Sequence, residues 1–139
     1  MLLTLDQFCT RYQGTKVDFD GFAGAQCVDL FRQYCNDVWG IPHTGALGKD
    51  GGAKDLYLNY DLMPLEVRYL IKMPYPVSTG DVVVFGPNRN NKYGHVGIYI
   101  ATVGDKVLVF EQDGFKQDGA KYNWRDVADV LGALRKRYV

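Results

Sequence analysis

The chain has 139 residues, with 16 acidic against 16 basic side chains, a net charge of zero, 47% hydrophobic and 14% aromatic residues. That length and apolar content predict one folded domain over residues 1–139 and exclude a disordered chain. Balanced charge removes the electrostatic footprint of a nucleic-acid or anionic-membrane binder, and no apolar run approaches a membrane span.

Three cysteines are an odd number, so a complete disulfide framework is excluded and free thiols in a reducing compartment are expected. The opening MLLTLDQF carries too short an apolar run, and no basic region, for a secretory signal. Synthesis as a soluble cytosolic protein is the expectation.

Thr4 reads as an N-cap, and Leu5, Phe8, Cys9 and Tyr12 form a helical stripe that Gly14 ends. The stretch from Asp18 to Tyr34, DFDGFAGAQCVDLFRQY, then runs from an acidic, glycine-containing loop into an amphipathic helix over about Gln26–Trp39. Val28, Leu30, Phe31, Tyr34 and Cys35 recur at helical spacing, and Gly40 and Pro42 stop the helix. Cys27 falls at or near its first turn, among unpaired N–H groups at the positive end of the macrodipole, where thiolate is favoured. A buried structural cysteine is the plainer account of the same position.

The loop has a second pattern. With Asp18 as position 1 of a twelve-residue loop, Asp20 falls at 3, Phe22 at 5, Gly24 at 7 and Asp29 at 12. From these positions a calcium loop supplies carboxylate and carbonyl oxygens. Ala23 at position 6 and an aspartate at position 12 depart from an EF-hand. An Asp-Gly turn followed by a first-turn acid accounts for the spacing as well.

Further on, His43 to Gly52 reads as a glycine-rich surface loop, with His43 exposed, and Ala53 to Leu58 as a short helix. Leu65–Met73 suits a strand ended by Pro74 and Pro76. Gly80–Asp81 turns into Val82–Phe85, a short apolar run typical of a buried strand, and Pro87–Tyr93 is an asparagine-rich loop. His95–Val103 and Lys106–Asp113 are strands joined at Gly104–Asp105.

Register decides what that hairpin brings together. A two-residue turn pairs His95 with Gly114 and sends Glu111 to the opposite face, whereas a three-residue turn pairs Gly97 with Glu111. A function needing His95 beside Glu111 therefore predicts the longer turn or a bulge. Phe115–Arg125 reads as an aromatic loop and Leu131–Tyr138 as a last strand. Helices first and strands after indicate an α+β fold with an antiparallel sheet.

A cysteine on a helix, a histidine on a strand and an acid on the neighbouring strand form a cysteine-hydrolase set. Cys27 would attack an acyl carbon, His95 would move the proton, and Glu111 would orient the imidazole. Helix-terminal N–H groups, including that of Cys27, are placed to stabilise an oxyanion, and the Gln26 amide is a further donor.

The motifs DFDGFAGAQCVDL, GDVVVF, GHVGIYI and FEQDG, in this order, resemble the CHAP family, the cysteine, histidine-dependent amidohydrolase/peptidases, and especially the calcium-binding modules of bacteriophage endolysins. The resemblance implies a papain-like α+β fold, N-terminal helices packed on an antiparallel sheet, cleaving an amide bond in bacterial peptidoglycan, Gram-positive in particular. It carries the nucleophile onto Cys27, the base onto His95, the orienting acid onto Glu111 and a further polar member, usually asparagine, onto Asp113. It implies calcium held by Asp18, Asp20 and Asp29 with carbonyls of Phe22 and Gly24. Tyr93, Tyr122 and Trp124 either line a groove for the wall peptide or cap the sheet. Neutral charge argues against electrostatic targeting of the wall; either a separate wall-binding domain or subunit supplies it, or the chain acts without one. An endolysin of this kind is made in the host cytoplasm and acts on the wall after release. Two alternatives stay open: a non-catalytic, calcium-dependent wall-binding module, and a cysteine amidohydrolase or acyltransferase acting on a non-wall amide.

Overall fold

The computed structural model describes residues 1–21, 24–45 and 51–138. The first helix, α1, spans Leu5–Tyr12 and begins with a reciprocal cap, in which Thr4 Oγ accepts from Gln7 N–H and the Gln7 side chain accepts from Thr4 N–H. Helix α2 spans Cys27–Tyr34 and continues as one wider turn, Cys35–Trp39, before Gly40 closes it at φ 64°. The sequence marks both ends of this element, but carries no mark of the widened turn. Helix α3 is Asp55–Leu58.

Pro64–Tyr69 is a helix, α4, and only Leu70–Met73 is strand β1, which corrects the strand expected over Leu65–Met73. Pro64 sits in the first helical turn, where its fixed φ and missing N–H carry no penalty. Glu66 then buries its carboxylate, accepting from Thr44 N–H and Gly45 N–H.

The remaining strands are β2 Val82–Phe85, β3 His95–Val103, β4 Lys106–Glu111, β5 Lys121–Asp126 and β6 Val130–Lys136. They form one six-stranded sheet in the order β1-β6-β2-β3-β4-β5, with every pair antiparallel. This is the α+β, papain-like arrangement expected. Strand β5 occupies part of the segment expected to be loop. Its side chains alternate between half-buried and exposed, which leaves an edge strand little apolar signal to be read from.

One face of the sheet carries the main core. Leu30, Phe31 and Tyr34 of α2 pack there with Val96, Ile98 and Phe110, and Phe8 of α1 stands edge-on to Tyr34 and Phe110. The opposite face has a smaller core of Val83, Phe85, Tyr99, Val107 and Val109. His95, Gly97 and Tyr99 of β3 lie on this second face, opposite Glu111 and Val109.

That alignment depends on an irregularity. The β3–β4 turn is the two-residue Gly104–Asp105, with Val103 paired to Lys106, Thr102 to Val107 and Ala101 to Leu108. Unbroken, this register would send Glu111 away from His95. A shift between Tyr99 and Ala101 leaves Ile100 as the extra residue, so Tyr99 pairs with Val109 and Gly97 with Glu111. Of the two solutions expected, the chain uses the bulge.

Candidate active site

Helix α2 begins at Cys27, with Gln26 extended as its N-cap. Asp29, the third helical residue, turns its carboxylate back to accept Gln26 N–H at 3.0 Å. This acid both satisfies an orphan donor and complements the dipole one turn from the thiol. Cys27 is half-buried, whereas Cys9 and Cys35 are buried and burial pushes both of their thiols up. Those two are core cysteines. The Cys27 thiol alone among the three is accessible and adjoins a base.

That base is His95, 7% exposed, with Cys27 among its direct neighbours. Its Nε2 lies 3.2 Å from Glu111 Oε1, out of line with the ring N–H, so the contact acts as charge attraction rather than as a directed hydrogen bond. Burial would lower the His95 pKa, but Cys27 and Glu111 outweigh it and raise it to about 9. Burial would likewise raise Glu111, which is fully enclosed, yet Arg125 and then His95 bring it down to about 2. At neutral pH the pair is therefore imidazolium and carboxylate. Gly94, at φ 73°, makes the approach possible, since a Cβ there would stand 2.6 Å from Phe85 O. The close approach at this glycine is made by the neighbouring strand β2.

Two amides, the buried Gln112 and the half-buried Gln117, tie the loop before Cys27 to the segment that follows Glu111. Gln112 is fully buried; its Oε1 accepts Val17 N–H at 2.7 Å, and its Nε2 donates to Val17 O at 2.7 Å and to Gln26 O at 2.9 Å. Gln117 pairs with Ala25 in the same way, accepting its N–H at 3.1 Å and donating to its carbonyl at 2.8 Å. The partners are more than 80 residues apart in sequence, so no local pattern announces them.

The acidic loop brings Asp18, Asp20 and Asp29 together, with one carboxylate oxygen of each within 4.8 Å of the others. Burial and repulsion from Asp20 raise the Asp29 pKa to about 6 against the hydrogen bond from Gln26. Three converging carboxylates that repel one another, offering only oxygen, fit a hard divalent cation. Gly24 takes a φ of 75° beside the Gln117 amide, while Phe22 lies outside the described residues.

The model of the CHAP domain matches residues 17–113, more than half of the chain. The chain belongs to the CHAP domain family. Among solved structures it is similar to the endolysin LysIME-EF1, at TM-score 0.66 and 21% identity over 97% of this chain and 64% of that one. It is also similar to Ly7917, at TM-score 0.57 and 21% identity, and to Ly7917 with the hydrolyzing product of MDP, at 0.53 and 23%; each match covers 80% of this chain and 53% of that one. This CHAP chain thus spans between about half and two thirds of the length of the chains it matches.

The CHAP match ends at Asp113, whose side chain is occupied locally. Its Oδ1 accepts Phe115 N–H at 2.8 Å and Lys116 N–H at 3.3 Å, and its carbonyl accepts Gln117 N–H, so it heads the turn that presents Gln117. It also lines a cavity of about 220 Å³ beside His95 and Arg125, with Asn88, Asn91 and Phe115. Tyr122 and Trp124 lie on the helix side of β5, register-paired with Phe110 and Leu108, while Asn123 and Arg125 share the face of Glu111. Tyr122 packs on Phe110, with Cys9 among its neighbours, so it caps the sheet. His43 is half-buried against Phe19 and Phe31 instead of exposed. No described helix is long and apolar enough to cross a membrane.

Proposed function

We propose that this CHAP chain is a cysteine hydrolase of the amide bonds in bacterial peptidoglycan, with Cys27 as nucleophile, His95 as base and Glu111 as orienting acid. The observation that carries the reading is the half-buried Cys27 at a helix start beside a buried His95 that is itself paired with a buried, charged Glu111. With Nε2 turned to Glu111, Nδ1 is the ring nitrogen left for the thiol.

The thiolate attacks the acyl carbon, and the N–H groups at the start of α2 are the donors available to the oxyanion. The C–N bond breaks as His95 passes its proton to the leaving amine, leaving a thioester on Cys27. His95 then takes a proton from water, whose oxygen attacks the thioester carbon. Thiolate departs and the carboxylic acid is released. The resemblance to endolysins favours a wall peptide as the acyl donor; amidase and endopeptidase cleavage use the same chemistry.

In this reading Asp18, Asp20 and Asp29 would hold calcium, with the carbonyl of Gly24. The ion supplies charge compensation that fixes the start of the nucleophile helix, since Asp29 also caps Gln26. Asp113 heads its turn and lines the cavity beside His95. A wall suspension mixed with the protein in calcium should clear, and clearing should vanish with Cys27→Ala. Clearing that survives in Cys27→Ala would refute the assignment.

A further inference from the structure

Strand β5 carries a residue that belongs to the site yet lies beyond the segment matched by the CHAP model, which ends at residue 113. Arg125 grips Glu111 with two nitrogens: Nε on Oε1, and Nη2 on Oε2 at 2.6 Å. Its guanidinium also stands over the Phe85 ring, 5.6 Å from the centroid, and Phe85 flanks the His95 ring at 5.7 Å. Phe85 and His95 are register partners across β2 and β3. One aromatic ring therefore supports both the base and the arginine, and Glu111 joins them on the other side.

We propose that Arg125 is a positioning residue of the catalytic site: by its two-pronged grip on Glu111 it keeps that buried carboxylate charged and fixed, so that Glu111 can hold His95 as an imidazolium beside Cys27. The inference rests on the thiol–imidazole reading above. The physical need is plain. Glu111 is fully buried, and a buried carboxylate without a fixed cation takes up a proton instead of staying charged. His95 is a poor substitute, since its 3.2 Å contact is off the N–H line, and it must give up its proton during the reaction. Arg125 keeps its charge at any working pH, and its planar fork matches the carboxylate. Among the described residues, the other titratable or charged groups bearing on the pair are Cys27 from α2, Lys121 from β5 and Asp113 just beyond β4, and the Asn123 amide donates to Glu111 Oε2 at 3.4 Å.

The test reads the thiol directly, without any wall substrate. Iodoacetamide alkylates the thiolate, forming a C–S bond and releasing iodide, and mass spectrometry localises the adduct to Cys27. The rate is measured against pH for the wild type, Arg125→Met, Arg125→Lys, Glu111→Gln and the double variant. Arg125→Met should lose reactivity on the acid side at a higher pH than the wild type, because Glu111 now titrates there, and its maximal rate should fall at least tenfold. Arg125→Lys should recover part of that loss. In the Glu111→Gln background, Arg125→Met should change the rate less than twofold, since the charge it serves has gone.

A folded Arg125→Met with the wild-type profile would overturn the proposal, as would a loss equally large in both backgrounds. If Arg125→Met does not fold, the comparison of Arg125→Lys with Glu111→Gln/Arg125→Met decides: an unshifted profile in the lysine variant overturns it. Failure of the wild type to cleave wall while this pattern holds would count against the substrate reading alone.

Discussion

Replacing Gln112 with leucine removes the amide that ties three parts of the site together, while keeping nearly the same volume. Three hydrogen bonds go: to Val17 N–H, Val17 O and Gln26 O. At a net ~1 kcal/mol each, their loss costs about 3 kcal/mol. Val17 is only 5% exposed, so its stranded N–H and C=O groups lift the total toward ~5 kcal/mol. That is a large share of the ~5–15 kcal/mol that holds a domain together. For a chain of this length it corresponds to a fall in Tm of roughly 10–20 °C. Calorimetry and urea unfolding should agree on it, with the m-value unchanged. Because Val17 precedes Asp18 and Gln26 precedes Cys27, the folded variant should also bind calcium more weakly. A loss below ~1 kcal/mol would refute the reasoning, since it would mean that the loop holds its place without the clamp.

Three further outcomes follow from the same geometry. His95 keeps its proton up to about 9 against an ordinary 6.5, so its contribution to stability is complete below 6.5 and is lost as pH rises through 9. Glu111, lowered from 4.5 to about 2, contributes above 4.5 and loses its part as pH falls through 2. Thermal scans in calcium should therefore place the pair's full stabilisation between pH 4.5 and 6.5, and kcat/KM should show an alkaline limb near 9; His95→Asn should flatten the alkaline part of the stability curve. Chelation of calcium should lower activity and Tm together, and unchanged activity after thorough removal would contradict the role given to the ion. Asp113→Asn should leave activity within about threefold and stability within ~0.5 kcal/mol, because an asparagine oxygen heads the same turn; a loss beyond tenfold would show that the carboxylate acts on the imidazole.

Much of this site is written in local pattern. Thr4, the stripe of α1, and the loop-to-helix run at Cys27 are read from capping and helical spacing, and all three appear where those rules put them. The pairing of Gly97 with Glu111 was open between two registers, and nothing in Gly-Ile-Tyr-Ile-Ala marks Ile100 as the bulge; only the chemistry required one. Arg125 escaped notice because β5 is an edge strand whose polar alternation resembles a loop, and its reason for being there lies 14 residues back at Glu111. Gln112 escaped for a related cause, since a glutamine beside Glu111 reveals nothing until the fold brings Val17 and Gln26 against it. Leu65–Tyr69 misled because its apolar residues suit a strand, while the proline before them and the buried anchor at Glu66 select a helix.

The most direct measurement is mass spectrometry of purified Gram-positive peptidoglycan incubated in calcium with the wild type and, in parallel, with Cys27→Ala. The account predicts new soluble fragments with the wild type alone, whose fresh termini are a carboxylate and an amine from one cleaved amide bond. No fragments from any wall type, or the same fragments from Cys27→Ala, would contradict it.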